Sequence, residues 1–177
     1  MTRTMFVGDL HAKADLLPLI SRVAQRESAD RLILLGDICD DWNVSNNGMI
    51  RFFDTFASWY RREAGEREMV PLLGNHDVPY FLKQGSSSYA RVRAIAPGFK
   101  PGAQRKVHEL MQDIPFRLAW TDGNVLATHA GLTRSWGRKR LGADYMNMPV
   151  EEVADRLNQM ILHPASLVVP MSDIGLA

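Results

Sequence analysis

Cysteine is almost missing from this chain: Cys39 stands alone, so no intrachain disulfide can form, and a fold without such staples suits a reducing compartment. Packed as a small apolar residue, Cys39 needs no further role. Long apolar runs are missing as well. No uninterrupted stretch approaches the roughly 18 residues of a membrane span, and "MTRTMFVGDL" lacks the apolar core of a secretory signal. The expectation is a cytoplasmic protein without a membrane partner. Nor is charge of one sign in excess. The 21 basic residues face 20 acidic ones, which argues against a nucleic-acid partner, whose phosphates are gripped by a surplus of Lys and Arg. Repeats and low-complexity tracts do not occur. What remains is 177 residues, 46% hydrophobic, enough for a single domain over 1–177 with a real core.

One pattern recurs along the chain. "TMFVGDLH", "RLILLGDICDD", "EMVPLLGNHD" and "NVLATHAGL" each join a short β-prone run to a turn-forming or small residue and then to a polar cluster. Between them, Leu16, Leu17, Ile20, Val23 and Ala24 recur at helical spacing, as do Ile50, Phe53, Ala57 and Tyr60. Pro18 falls within the first turns of its helix, where proline is tolerated. "PVEEVADRLNQMIL" opens on proline and acidic residues, as a helix start should, and sets Val153, Leu157 and Met160 on one face. Alternating strands and helices predict an α/β domain. In such a fold, loops at the carboxyl ends of neighbouring strands converge on one crevice, so the four polar clusters can meet.

Their chemistry is complementary. Asp9 and His11 lie two apart, so in extended chain they point the same way and can chelate one cation. Asp37 follows Gly36, and a carboxylate with two oxygens is the side chain suited to bridge two cations. Asn75 and His129 add a neutral oxygen and a neutral nitrogen donor. With no thiolate in the set, the expected cofactors are two divalent ions, manganese foremost, with iron or zinc as the other choices. Each cluster has an ordinary use when taken singly, as a turn, a helix cap or a buried histidine. Four in order at strand ends point to one shared metal site.

"GDLH", "GDICDD", "GNHD" and "THAGL" resemble the ordered motifs of the calcineurin-like metallophosphoesterases, and among them the serine/threonine phosphatase and diadenosine tetraphosphatase branch. The resemblance covers residues 8 to 132. It implies a two-sheet β-sandwich flanked by helices and a dinuclear site that hydrolyses phosphoesters. By position, Asp9, His11 and Asp37 resemble the ligands of the first metal, and Asp37, Asn75 and His129 those of the second. His76 takes the place of the family's histidine beside the leaving group, and Asp40 that of the carboxylate which orients it. Asp77 is then left to brace the loop or to join the hydrogen-bond network.

The departures from the family pattern are specific. Asp41 stands where an arginine commonly holds substrate phosphate, and Ala12 where glycine is usual. The family's last histidine ligand, in a "GH" motif, has no counterpart, which suggests a domain that is C-terminally incomplete; "SLVVPMSDIGLA" reads as a further strand at the break. His163, in "LHP", resembles a helix end more than that motif, and His108, in "QRKVHELM", reads as part of a solvated helix. "TRSWGRKR" puts Arg134 nearest the His129 loop, where a guanidinium fork suits phosphate oxygens; the other reading is a solvated basic loop. Trp42 and Trp136 are expected to fill the core or the rim of the site, or else to stack on a base. The expected reaction is in-line attack on phosphorus by a metal-activated water, with His76 protonating the departing alkoxide. Phosphoprotein, diadenosine polyphosphate and small phosphoesters are all open as substrates. The alternative is a catalytically weak, metal-bearing scaffold that binds a protein partner.

Overall fold

A computed structural model describes residues 2–163 and Leu167. Leu167 apart, the "SLVVPMSDIGLA" segment lies outside the described residues. Three of the β-prone runs become strands β1 (Thr4–Val7), β2 (Arg31–Leu34) and β3 (Glu68–Pro71). They form a parallel sheet in that order, with Thr4 opposite Arg31 and Arg31 opposite Glu68. The central strand is covered on both faces. Leu32, Ile33 and Leu34 are all fully buried, which is why this run is continuously apolar rather than alternating.

Helices α1 (Leu16–Arg26) and α2 (Asn46–Ala64) make the crossovers. Ser45 caps α2 by accepting from Gly48 N at 3.1 Å. The apolar faces read from the sequence turn inward: Leu17, Ile20 and Ala24 of α1 join Phe53, Ala57 and Tyr60 of α2 in the main core. Three shorter helices follow β3, namely α3 (Val78–Phe81), α4 (Ser87–Arg93) and α5 (Gln104–Met111). The last is not the solvated helix expected around His108. Gln104, Val107 and Met111 are buried, and His108 Nδ1 lies 3.0 Å from the Tyr80 carbonyl. Its polar letters concealed one buried stripe over only two turns.

Strands β4 (Ala119–Thr121) and β5 (Leu126–Thr128) form an antiparallel hairpin. Asp122 holds its turn, accepting from Asn124 N and Val125 N at 3.0 Å each. Backbone bonds from Arg117 N to Pro71 O and from Leu73 N to Arg117 O tie the chain just before β4 to the end of β3. Trp120 and Ala127 of the hairpin cluster with Ile33, Val70 and Leu72, on the side of the parallel sheet away from the main core. "TRSWGRKR" is helix rather than loop: α6 (Arg134–Leu141) starts after Thr133, whose hydroxyl accepts from Trp136 N. It packs with α7 (Val150–Gln159) around Ala119, Tyr145 and Leu157. The described residues thus build a mixed α/β fold with flanking helices and two small sheets, which is less than the full two-sheet sandwich that the resemblance implies. Among them no helix is long and apolar enough to cross a membrane.

Candidate metal centre

All four polar loops leave the carboxyl ends of β1, β2, β3 and β5, and they are stitched together around Asp37. Leu10 N and His11 N donate to the Asp37 carbonyl at 3.0 and 2.9 Å, and Ala12 N donates to Ile38 O at 2.9 Å. The first and second loops therefore run side by side as hydrogen-bonded backbone. The third loop closes on the same residue, since His76 N donates to Asp37 Oδ1 at 2.9 Å. Asp77, wholly buried, accepts from Gly74 N at 2.9 Å and from Cys39 N at 2.8 Å, one bond on each oxygen. It braces the second and third loops, and burial raises its pKa to about 6.

This approach is possible only because two residues lack side chains. A Cβ on Gly74 would run into the Asp37 amide and carboxylate, and one on Gly36 would come within 2.6 Å of Gly74 N. The crowding also bends the backbone. His11, Ala12, Asp37 and Asp40 all have φ between 43° and 66°, a region that costs non-glycine residues energy and collects at functional sites. Ala12 accepts that strain at φ 56°.

The donor atoms converge on one carboxylate. Asp37 Oδ2 lies 3.5 Å from His129 Nε2 and 4.0 Å from His11 Nε2, and His11 Nε2 lies 3.8 Å from Asp9 Oδ2. Both histidines are oriented from behind. His11 Nδ1 is 2.9 Å from Asp40 O, and His129 Nδ1 is 2.8 Å from Leu35 O. A carbonyl can only accept, so Nδ1 carries the proton and Nε2 keeps its lone pair for the site, the usual support of a metal-binding imidazole. Asn75 Oδ1 then stands 3.1 Å from His129 Nε2 with two acceptors face to face, a contact that a shared cation relieves. Asp37 itself is a nearly buried carboxylate, 5% exposed, and the charged form of such a group calls for a cation. By donor type, protonation and charge, the set fits divalent ions of hard to borderline character.

Two groups of metal-capable side chains share Asp37: one is His11, Asp37 and His76, the other Asp9, Asp37 and His129. The sequence grouped these ligands differently, placing Asp9 with His11 and reserving His76 for acid chemistry. His163 belongs to neither group and is exposed after the last helical turn.

His76 is seated by residues the sequence named in part. Its Nδ1 faces Asp40 Oδ2 at 3.6 Å, and these two are buried atoms without a hydrogen-bond partner. The spacing makes this an ion-pair contact rather than a formed hydrogen bond. The Asp40 carboxylate, with Asp37 and Asp77 behind it, raises the His76 pKa against the opposing effect of burial. Sequence reasoning missed the next residue in line. The hydroxyl of Tyr80, fully buried, donates to Asp40 Oδ1 and accepts from Lys100 N at 2.9 Å. Its spacing of four from His76 was the available signal, as α3 begins in between.

Two clefts flank the centre. On the His129 side, a cleft of about 480 Å³ is lined by Asn75 and His129 and by apolar groups including Leu132, Trp136 and Leu157. On the His76 side, a smaller one of about 290 Å³ is lined by Lys13, Asp41, Trp42 and Gly98 together with the two loop histidines. Arg134, exposed at the first position of α6, lines neither cleft. The basic side chain brought to a cleft is Lys13, which meets Asp41 at 3.2 Å.

No curated protein sequence matches the chain. The sequence profile of the calcineurin-like phosphoesterases matches residues 2–163, a span that contains every loop described above, and the chain therefore belongs to the calcineurin-like phosphoesterase family.

Proposed function

We propose that the chain is a dinuclear, metal-dependent phosphoesterase acting as a phosphatase. The observation that carries this reading is the convergence of Asp9, His11, Asn75 and His129 donor atoms on the shared carboxylate of Asp37. Two divalent ions, manganese foremost, would be held by these side chains. Bound there, such ions lower the pKa of a water and offset charge on phosphoryl oxygens.

The protein's own part is proton delivery and alignment. Attack of water on phosphorus breaks the bond to the leaving oxygen, which departs as an alkoxide and needs a proton. His76 supplies it. Its Nδ1 is turned to Asp40, so Nε2 is the nitrogen left to donate, and the Asp40 carboxylate favours the protonated ring. Asp40, held by Tyr80, fixes the ring's orientation. Phosphoproteins, diadenosine polyphosphates and small phosphoesters are the substrate classes to compare. Hydrolysis of 4-nitrophenyl phosphate with added manganese, lost in Asp37→Asn, is the expected result. Absence of turnover in the metal-loaded wild type, with metal bound, would favour a scaffold instead.

A further inference from the structure

Trp42 is the most exposed of the large apolar side chains among the described residues, at 75%. Its position is not casual. Asp41 Oδ1 accepts from Asn43 N at 2.8 Å, and Val44 N donates to Asp41 O at 3.2 Å. This Asx turn presents Trp42 at its tip. The ring lines the cleft of about 290 Å³ that also contains His76, at the small end of the range for ligand pockets. A leaving oxygen within reach of the His76 proton must project its remaining atoms into this cleft, because the apolar cleft opens past His129.

The charge of the cleft wall narrows what can enter. Asp41 and Lys13 both line the cleft, and the ammonium neutralises the carboxylate at 3.2 Å. A leaving group carrying phosphates of its own finds no uncompensated cation in that pair. A flat, uncharged one finds an indole face, whose stacking tolerates any π-system.

We propose that Trp42, with the Lys13–Asp41 pair in the same cleft, forms a leaving-group subsite selecting phosphomonoesters of alcohols that carry a flat, uncharged ring, of the nucleoside class, over those of simple aliphatic alcohols. This rests on the phosphoesterase reading above. The test compares adenosine 5′-monophosphate with glycerol 3-phosphate. Both are esters of primary alcohols, so leaving-group basicity is closely matched, and the purine base is the only π-system between them. In the manganese-loaded wild type, kcat/KM favours the nucleotide. In Trp42→Ala that ratio falls roughly 5- to 150-fold, the size of one lost base stack, and Trp42→Phe restores part of it. A wild type without preference, or a Trp42→Ala ratio equal to the wild-type ratio, overturns the subsite while leaving the phosphoesterase reading intact. Calorimetric titration with the same two esters separates the reverse case. If neither ester nor 4-nitrophenyl phosphate is hydrolysed, the phosphoesterase reading falls, and the subsite stands only if the nucleotide binds more tightly and Trp42→Ala removes the difference.

Discussion

Removing one oxygen from Tyr80 tests the acid arm of the site. In Tyr80→Phe the ring still fills its place, 0% exposed, and packs edge-on against Phe99 at 4.9 Å. Only the hydroxyl goes. It donates to a carboxylate that is itself 1% exposed, and a hydrogen bond to such a charged, buried group is worth about 1.5–3 kcal/mol. Lys100 N loses its acceptor as well, but Lys100 is only half-buried and water can replace it. A destabilisation of about 1.5–3 kcal/mol corresponds to a Tm lowered by roughly 3–12 °C for a chain of this size. The catalytic effect should be selective. Asp40 loses the partner that holds Oδ1 and can turn, so its hold on His76 loosens. An alkyl phosphate, whose alkoxide must be protonated, should slow by about 10-fold or more, part of the roughly 100- to 10,000-fold that general acid catalysis supplies. 4-Nitrophenyl phosphate, whose leaving group departs without a proton, should slow much less. His76→Asn on the same two esters sets the ceiling. A Tm drop with equal slowing on both esters would make Tyr80 a packing residue and refute its role behind the acid.

Gly74→Ala should abolish metal uptake and lower stability by at least about 1–3 kcal/mol, the usual cost of overpacking, since its Cβ has no room beside Asp37. Thermal melts and elemental analysis check it, and a variant with normal melting and metal content would show that the loops can part. In the metal-free protein, NMR titration should place the His76 pKa above about 6.5, and Asp40→Asn should lower it, because that carboxylate is the main cause of the rise. Both His76 and Asp77 have folded pKa values raised above their unfolded ones. Their stabilising contributions are full below the unfolded values and are lost as pH rises through the folded ones. For Asp77 that loss falls between about 4 and about 6. Metal-free melts of wild type and Asp77→Asn should accordingly converge or cross in that window, and parallel curves would contradict the assignment.

The strand-to-loop units were legible because each announces itself locally: an apolar run, a small residue, then ligand chemistry. Gly36 and Gly74 could be read as turns, but not as the sites where two loops touch, since that contact spans 38 residues of sequence. Tyr80 stayed hidden for the same reason, its hydroxyl pairing with a carboxylate 40 residues away. The sequence pointed to Arg134 on proximity along the chain. The fold instead turns Lys13 into a cleft, by pairing the first loop with the second. Strand β4 escaped notice because only three residues form it, and its pairing is completed from outside the hairpin by Asn158, which accepts from Leu118 N and Ala119 N. Helix α6 escaped because its basic letters mask a stripe of Gly137 and Leu141 against Tyr145.

The central claim is that Asp37 is shared by two metal ions. Elemental analysis of the manganese-loaded wild type, Asp37→Asn, His11→Ala and His129→Ala measures it directly. The account predicts two ions per chain in the wild type, loss at both positions in Asp37→Asn, and loss of mainly one in each histidine variant. Wild-type metal content in all three variants would contradict it.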